Sequence, residues 1–344
     1  MADMNDVLRR LNALPDDLPS CPADALLDRL GGPTLITLPG KDPRPIFLSV
    51  LLHGNEISGW NGLRRYLAQT PVLPHRTTIF IGNLEAAAAG LRTLPGQQDY
   101  NRIWRGAAEP EASLAREVRS VIDALPWFAA IDLHNNTGHN PHYAVLTDVT
   151  PHNLGLARLF SDKAMLVEQP DTAMTRVFDG ICPAVTLELG SIADDRSEER
   201  CRDFLERCFA LQAVPTAARE QIRLFRALAR VHVVEHTAFR FAGNDGVPEQ
   251  RCETDPPLVL TGDVEGVNFR QLPAGFELGS GTGELSRLLT VLDADHRDVT
   301  QRYLEIENGR IRLTRSVTPA MYTTDPVGVR QDCLCYFMEV MASA

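Results

Sequence analysis

The stretch Pro45-Ile46-Phe47-Leu48-Ser49-Val50-Leu51-Leu52-His53-Gly54-Asn55-Glu56 decides how this chain is read. Its first eight residues are apolar except for one serine, the pattern of a fully buried strand. Gly54 and Asn55 then carry the chain round a corner, and helical spacing follows from Glu56 to Ala68, with Ile57, Leu63, Tyr66 and Leu67 on or near one face. His53 and Glu56 are therefore expected where a central strand gives way to a helix. Open α/β sheets keep their sites at such strand ends.

Two further stretches extend this reading. Trp127 to Leu133 reads as a strand that delivers His134 at the same kind of position, and Pro183 to Leu189 reads as a strand carrying Glu188 between apolar neighbours. Two imidazoles and one carboxylate form the ligand set of a catalytic zinc with its fourth position open for water. A lone glutamate inside an apolar strand is costly unless it is paired or used, and glutamate is a residue type that takes a proton from water at such a centre. Each residue also has a plainer explanation. His53 and His134 could be structural histidines, and Glu56 could be a helix N-terminal carboxylate stabilised by the dipole. His139 and His142 are an alternative metal pair, without an accompanying carboxylate. Asp132 precedes His134 by two positions and shares its strand face, where it serves either to orient the imidazole or as part of the sheet.

Around these motifs, strands and helices alternate. Strands are predicted at Thr34–Leu38 and Pro45–Leu52, separated by a turn at Pro39-Gly40-Lys41-Asp42-Pro43, and at Arg76–Ile81, Trp127–Leu133, His142–Leu146 and Pro183–Leu189. Helices are predicted at Glu56–Ala68, Leu84–Gly90, Glu111–Leu125 and Asn153–Ser161, with helix-like sequence from Ser197 to about Ala229 interrupted near Pro215, and two short helical pieces within residues 1–30. This order implies a doubly wound α/β layer. After about residue 230 the texture changes to short β-like runs, Val231–Val234, Val264–Phe269, Leu288–Leu292 and Tyr303–Leu313. The expected organisation is thus a catalytic α/β domain over residues 1–230 and a smaller β-rich domain over 231–344. Gly279-Ser280-Gly281-Thr282-Gly283 falls in the second part and reads as a flexible turn.

Composition narrows the classes. With 344 residues and 44% hydrophobic content the chain can bury a sizeable core, and a net charge of -11 argues against a nucleic-acid partner. No apolar run approaches a membrane span, and the polar start from Met1 to Pro19 predicts no export signal. The seven cysteines, Cys21, Cys182, Cys201, Cys208, Cys252, Cys333 and Cys335, show no framework spacing and read as reduced cytoplasmic thiols. There is no nucleophile elbow, phosphate loop or dinucleotide fingerprint.

The ordered series HGNE at 53–56, Asn83, Arg92, Asp99-Tyr100-Asn101-Arg102, DLHNN at 132–136, Thr175-Arg176 and Thr186-Leu187-Glu188-Leu189-Gly190 resembles the succinylglutamate desuccinylase and aspartoacylase family, a branch of the zinc carboxypeptidase clan. The resemblance is clear over residues 45–190. It implies a zinc-carboxypeptidase-like mixed sheet with helices on both faces, and one zinc held by His53, Glu56 and His134. It further implies Glu188 as the general base toward zinc-bound water and Arg92 as the group that polarises the scissile carbonyl. Asn101 and Arg102 would hold the α-carboxylate of an N-acyl amino acid, and Arg176 a side-chain or acyl carboxylate. The implied activity is hydrolysis of that amide. A carboxypeptidase or peptide amidase of the same clan, and a non-catalytic zinc-binding protein on the same fold, remain the alternatives, and a homo-oligomer is left open.

Overall fold

The computed structural model describes residues 7–169, 172–243 and 256–342. Their contacts divide into two units. One comprises the chain up to Asn135 with His142–Leu224, and the other comprises Asn136–Pro141 with Phe225–Ala342.

In the first unit the strands are β1 (Arg9–Leu11), β2 (Thr34–Leu38), β3 (Gly40–Val50), β4 (Leu73–Ile81), β5 (Ala129–His134), β6 (Tyr143–Leu146), β7 (Lys163–Leu166) and β8 (Ala184–Glu188). They form a mixed sheet in the order β1-β2-β4-β3-β5-β8-β6-β7. The central β4, β3, β5 and β8 are parallel, and β2 and β6 run against them. The helices are α1 (Leu26–Leu30), α2 (Ser58–Gln69), α3 (Leu84–Ala89), α4 (Glu111–Ile122), α5 (Pro151–Phe160) and α6 (Arg196–Phe209). Leu114, Ala115, Val118 and Ile122 of α4 pack with Phe47, Phe80, Trp104, Trp127, Ala130 and Phe178 in one core. On the opposite face α2 comes so close that a Cβ on Gly59 would lie 2.9 Å from the Leu133 Cβ, and α6 packs on α2. Helices thus cover both faces, as the doubly wound reading requires.

Register positions the site. In the parallel ladder Phe47 pairs with Ala130 and Ala130 with Ala184. Two residues on, Ser49 pairs with Asp132 and Asp132 with Thr186, and two further on His134 pairs with Glu188. Since side chains alternate along a strand, these rows lie on one face. That face runs from apolar, through a polar row, to charged at the C-terminal strand ends. β3 ends at Val50, and the next residue, Leu51, has a φ of 55°, unusual for a bulky residue, so the chain bends there before it reaches His53.

In the second unit β9 (Arg223–Val233) pairs with β13 (Leu289–Asp293) and β17 (Cys335–Val340), with β16 (Thr318–Ala320) beyond β17. A smaller sheet has the order β10-β11-β12-β15-β14, from Phe239–Phe241, Leu258–Leu260, Glu277–Gly281, Arg310–Leu313 and Leu304–Glu307. β14 and β15 are joined by Asn308-Gly309, both at positive φ, a pair suited to a tight hairpin turn.

Several local expectations are corrected. The helix-like run to Ala229 ends at Phe209, and residues 223–233 form a strand. Its Leu, Ala and Arg content favours a helix, but pairing on both sides and burial of Ala229, Val231 and Val233 override that propensity. Of the turn expected at 39–43 only Pro39 lies outside β3, because Gly40 takes a position where a Cβ would lie 2.0 Å from the His75 backbone and a bulge absorbs Asp42 to Ile46. Glu265–Val267 is a 3-10 turn rather than part of a strand, and Gly279–Gly281 belongs to β12 rather than to a flexible turn. Within residues 1–30 the short helical pieces are two 3-10 helices, Leu18–Ser20 and Ala23–Ala25, and α1, and β1 is a strand that was not expected. Cys201, Cys208, Cys333 and Cys335 are buried, and Cys252 lies outside the described residues.

Candidate metal centre

Glu56 sits at the centre of the constellation. Its Oε1 lies 2.7 Å from His53 Nδ1 and its Oε2 2.7 Å from His134 Nδ1, so one carboxylate meets the same ring nitrogen of both histidines. The Asn135 N–H donates to Oε2 at 3.1 Å and Arg92 to Oε1 at 3.3 Å. The remaining ring nitrogens each face a carboxylate of their own: His53 Nε2 is 2.9 Å from Asp99 Oδ1, and His134 Nε2 is 2.8 Å from Asp132 Oδ2. Carboxylates so placed fix the ring orientation and tautomer of a metal-binding imidazole.

Local sequence explains this convergence. Gly54 is required because a Cβ there would lie 2.2 Å from the backbone of Ala86, and its N–H donates to the Arg92 carbonyl. α2 starts two residues later than its periodicity suggests, at Ser58, because the Asn135 Oδ1 accepts the Ser58 N–H. Glu56 is thus left in the turn, facing the histidines. Asn83 caps α3 through Ala86 N–H and donates to Gln97, which ties the helix to the loop leading to Asp99.

Burial and charge act together here. Burial pushes the Glu56 carboxyl up, but His53 and His134 outweigh it and hold the group well below the usual carboxylate range. Burial lowers His134, and Asp132 and Glu56 overcome that and raise it well above an ordinary histidine. Asp99 is held low against its own desolvation by His53, Arg92 and Arg102. Glu188 behaves differently: desolvation dominates and raises it from 4.5 to about 8. It is 6% exposed, and its Oε2 has no hydrogen-bond partner among the described residues.

A raised carboxylate has a testable thermodynamic signature. In the metal-free protein, folded Glu188 keeps its proton between pH 4.5 and about 8 while the unfolded chain has lost it. Its contribution to stability is therefore fully present below pH 4.5 and is lost as pH rises toward 8. Chelator-treated wild type should lose stability over that interval relative to Glu188→Gln, measured by denaturant unfolding across the range. Parallel pH profiles for the two proteins would show that Glu188 is not desolvated.

The other expected residues are placed as follows. Asn101 accepts the Met174 N–H through Oδ1 at 2.9 Å, joining its loop to the 3-10 turn Met174–Phe178. Arg102 donates to the Asn101 carbonyl at 2.9 Å. Arg92 bridges Glu56 and Asp99. Arg176 donates to the carbonyls of Val167 and Glu168 and pairs with Asp179, so its guanidinium braces the segment around it. His142 packs edge-on against Phe160, and the His139 carbonyl accepts from Asn268. Sequence reasoning gave Asp99 no role. Its place at the head of the Asp99–Arg102 stretch was the available signal, but nothing local shows which histidine it reaches 46 residues away.

Among the described residues, His53, Glu56 and His134 form the one group of three or more His, Cys, Asp or Glu side chains able to hold a metal ion, with ligand atoms within 4.8 Å of one another. The donor set fits a divalent metal that accepts nitrogen and oxygen ligands: two oriented imidazoles, one ionised carboxylate, and burial of all three.

The fold resembles murine aminoacylase 3 (TM-score 0.57, 16% identity, covering 88% of this chain and 96% of that one) and a succinylglutamate desuccinylase/aspartoacylase from Rhodobacter sphaeroides (TM-score 0.56, 14% identity, 89% and 88%). It also resembles the succinylglutamate desuccinylase from Chromobacterium violaceum (TM-score 0.51, 22% identity, 68% and 75%). No curated protein matches the chain in sequence. The model of the succinylglutamate desuccinylase/aspartoacylase catalytic domain matches residues 44–232, a span that holds every residue of the constellation. Because that match takes in more than half of its length, the chain belongs to the succinylglutamate desuccinylase/aspartoacylase family.

Proposed function

We propose that this protein is a zinc-dependent amidohydrolase that cleaves the amide bond of an N-acyl amino acid. The observation that carries the reading is the convergence of His53, Glu56 and His134 at the end of the strand row that also presents the buried Glu188. A zinc held by those three side chains would supply Lewis acidity toward the scissile carbonyl and make water more acidic. Glu188 takes the proton of the attacking water and returns it to the leaving amine. A desolvated carboxylate raised toward neutrality is suited to both transfers. Arg92, part-buried against Glu56 and Asp99, presents positive charge where the oxyanion develops.

Asn101 and Arg102 hold the α-carboxylate. With Oδ1 of Asn101 engaged by Met174, its Nδ2 donors serve the ligand, and Arg102 adds a forked guanidinium. Arg176 serves a second carboxylate, on the acyl group or the side chain, by exchanging its carbonyl partners for that ligand. A peptide-cleaving enzyme of the same clan is the alternative. Metal analysis followed by a hydrolysis screen of N-acetyl, N-formyl and N-succinyl amino acids against peptides separates the two. No turnover of any acylated amino acid, with peptides cleaved, would overturn the proposal.

Arg102 provides a sharper test of substrate class. Arg102→Lys keeps the charge and loses the fork, so kcat/KM for free-acid substrates is expected to fall about tenfold to a hundredfold, the loss of one charge-assisted bond of roughly 1.5 to 3 kcal/mol. Substrates with a neutral amide in place of the α-carboxylate should be poor with the wild type and little worse with the variant. Equal losses for both substrate types would make the arginine structural.

A further inference from the structure

Ser49 is the one polar residue between Ile46 and Leu52, and it is 1% exposed in the middle of the sheet. A hydroxyl there is costly unless it is used, since alanine would fill the position without a polar group to satisfy. Its Oγ donates to Asp132 Oδ1 at 2.6 Å, a bond between side chains 83 residues apart rather than back to its own strand. The other Asp132 oxygen is the one that faces His134 Nε2. Asp132 is thus held from two sides, by Ser49 on β3 and by the ligand imidazole on its own strand, and it too is 1% exposed.

We infer that Ser49 is a positioning residue for the metal centre, acting on His134 through Asp132. The parallel ladder pairs Ser49 directly with Asp132, which sets the hydroxyl beside the carboxylate without any loop involvement. Without the hydroxyl, Asp132 Oδ1 is a buried acceptor with no donor, and the carboxylate relaxes by rotating. His134 would then lose the contact that fixes which nitrogen it turns toward Glu56 and His53. The inference rests on the metal reading of His53, Glu56 and His134 and extends it to a residue that is not itself a ligand.

The experiment measures zinc affinity by competition with a chromophoric chelator, together with the visible spectrum of the cobalt-substituted protein, for wild type, Ser49→Ala, Ser49→Thr and Phe47→Leu. Removing a group that holds a ligand from outside typically costs ten- to a hundredfold in metal affinity. Ser49 stands one bond further out, so Ser49→Ala is expected to weaken zinc about three- to tenfold and to alter the cobalt bands. Ser49→Thr restores the hydroxyl and should return both toward wild type. Phe47→Leu, on the same strand face two residues earlier, should lower thermal stability yet leave affinity and spectrum unchanged. Wild-type affinity in Ser49→Ala, or an equal loss in Phe47→Leu, overturns the inference while leaving the metal site standing. If the wild type itself binds no zinc, the metal reading fails and the inference falls with it.

Discussion

Glu188→Gln is expected to retain its metal and lose most turnover. The glutamine keeps the shape of a side chain that makes no hydrogen bond through Oε2, so the strand and the neighbouring histidines have no reason to move. What disappears is the only function proposed for the group, taking and returning a proton. Loss of a general base typically costs on the order of 10² to 10⁴ in rate. Metal content by elemental analysis and kcat on the best acylated amino acid are measured on the same preparation. Near wild-type kcat would remove Glu188 from the mechanism. A metal-free variant would instead make it a structural support of the centre.

Glu56→Gln should act in the opposite order, failing first in metal binding and stability. Glu56 receives Asn135 N–H and Arg92 and faces both histidines, all in a buried setting. Replacing it with a neutral amide removes the counter-charge that Arg92 and the raised His134 share, and since Asp99 and Asp132 remain beside them the cost stays below the about 3 to 5 kcal/mol of breaking a buried pair outright. Zinc stoichiometry should collapse, and the unfolding midpoint of the chelator-treated protein should drop below that of treated wild type. Full stoichiometry in this variant would place the metal elsewhere.

The parts of this architecture written in local pattern could be read directly. The apolar run before His53, the alternation that puts Asp132 and His134 on one face, and the isolated glutamate in an apolar strand each state their own surroundings. Residues 223–229 could not be read so, because pairing with β17, which no local pattern announces, makes that arginine- and leucine-bearing stretch a strand. Asp99 meets His53 across 46 residues and Ser49 meets Asp132 across 83, and neither contact leaves a periodicity behind. Arg176 shows the remaining difficulty: sequence supplies a guanidinium, but only the fold shows that nearby carbonyls occupy it.

The in-register rows of β3, β5 and β8 have a consequence for how such a site can change over time. His134 and Glu188 are separated by the spacing of adjacent strands, about 4.8 Å, which every ladder hydrogen bond enforces. Insertions in the connecting segments are absorbed at the periphery and leave that separation untouched. A one-residue slip in the register of β5 would instead turn Ala130, Asp132 and His134 to the other face together. The centre therefore tolerates variation in discrete steps, intact or inverted. On the proposed function, gradual divergence in substrate preference is confined to the loops that carry Arg92, Arg102 and Arg176.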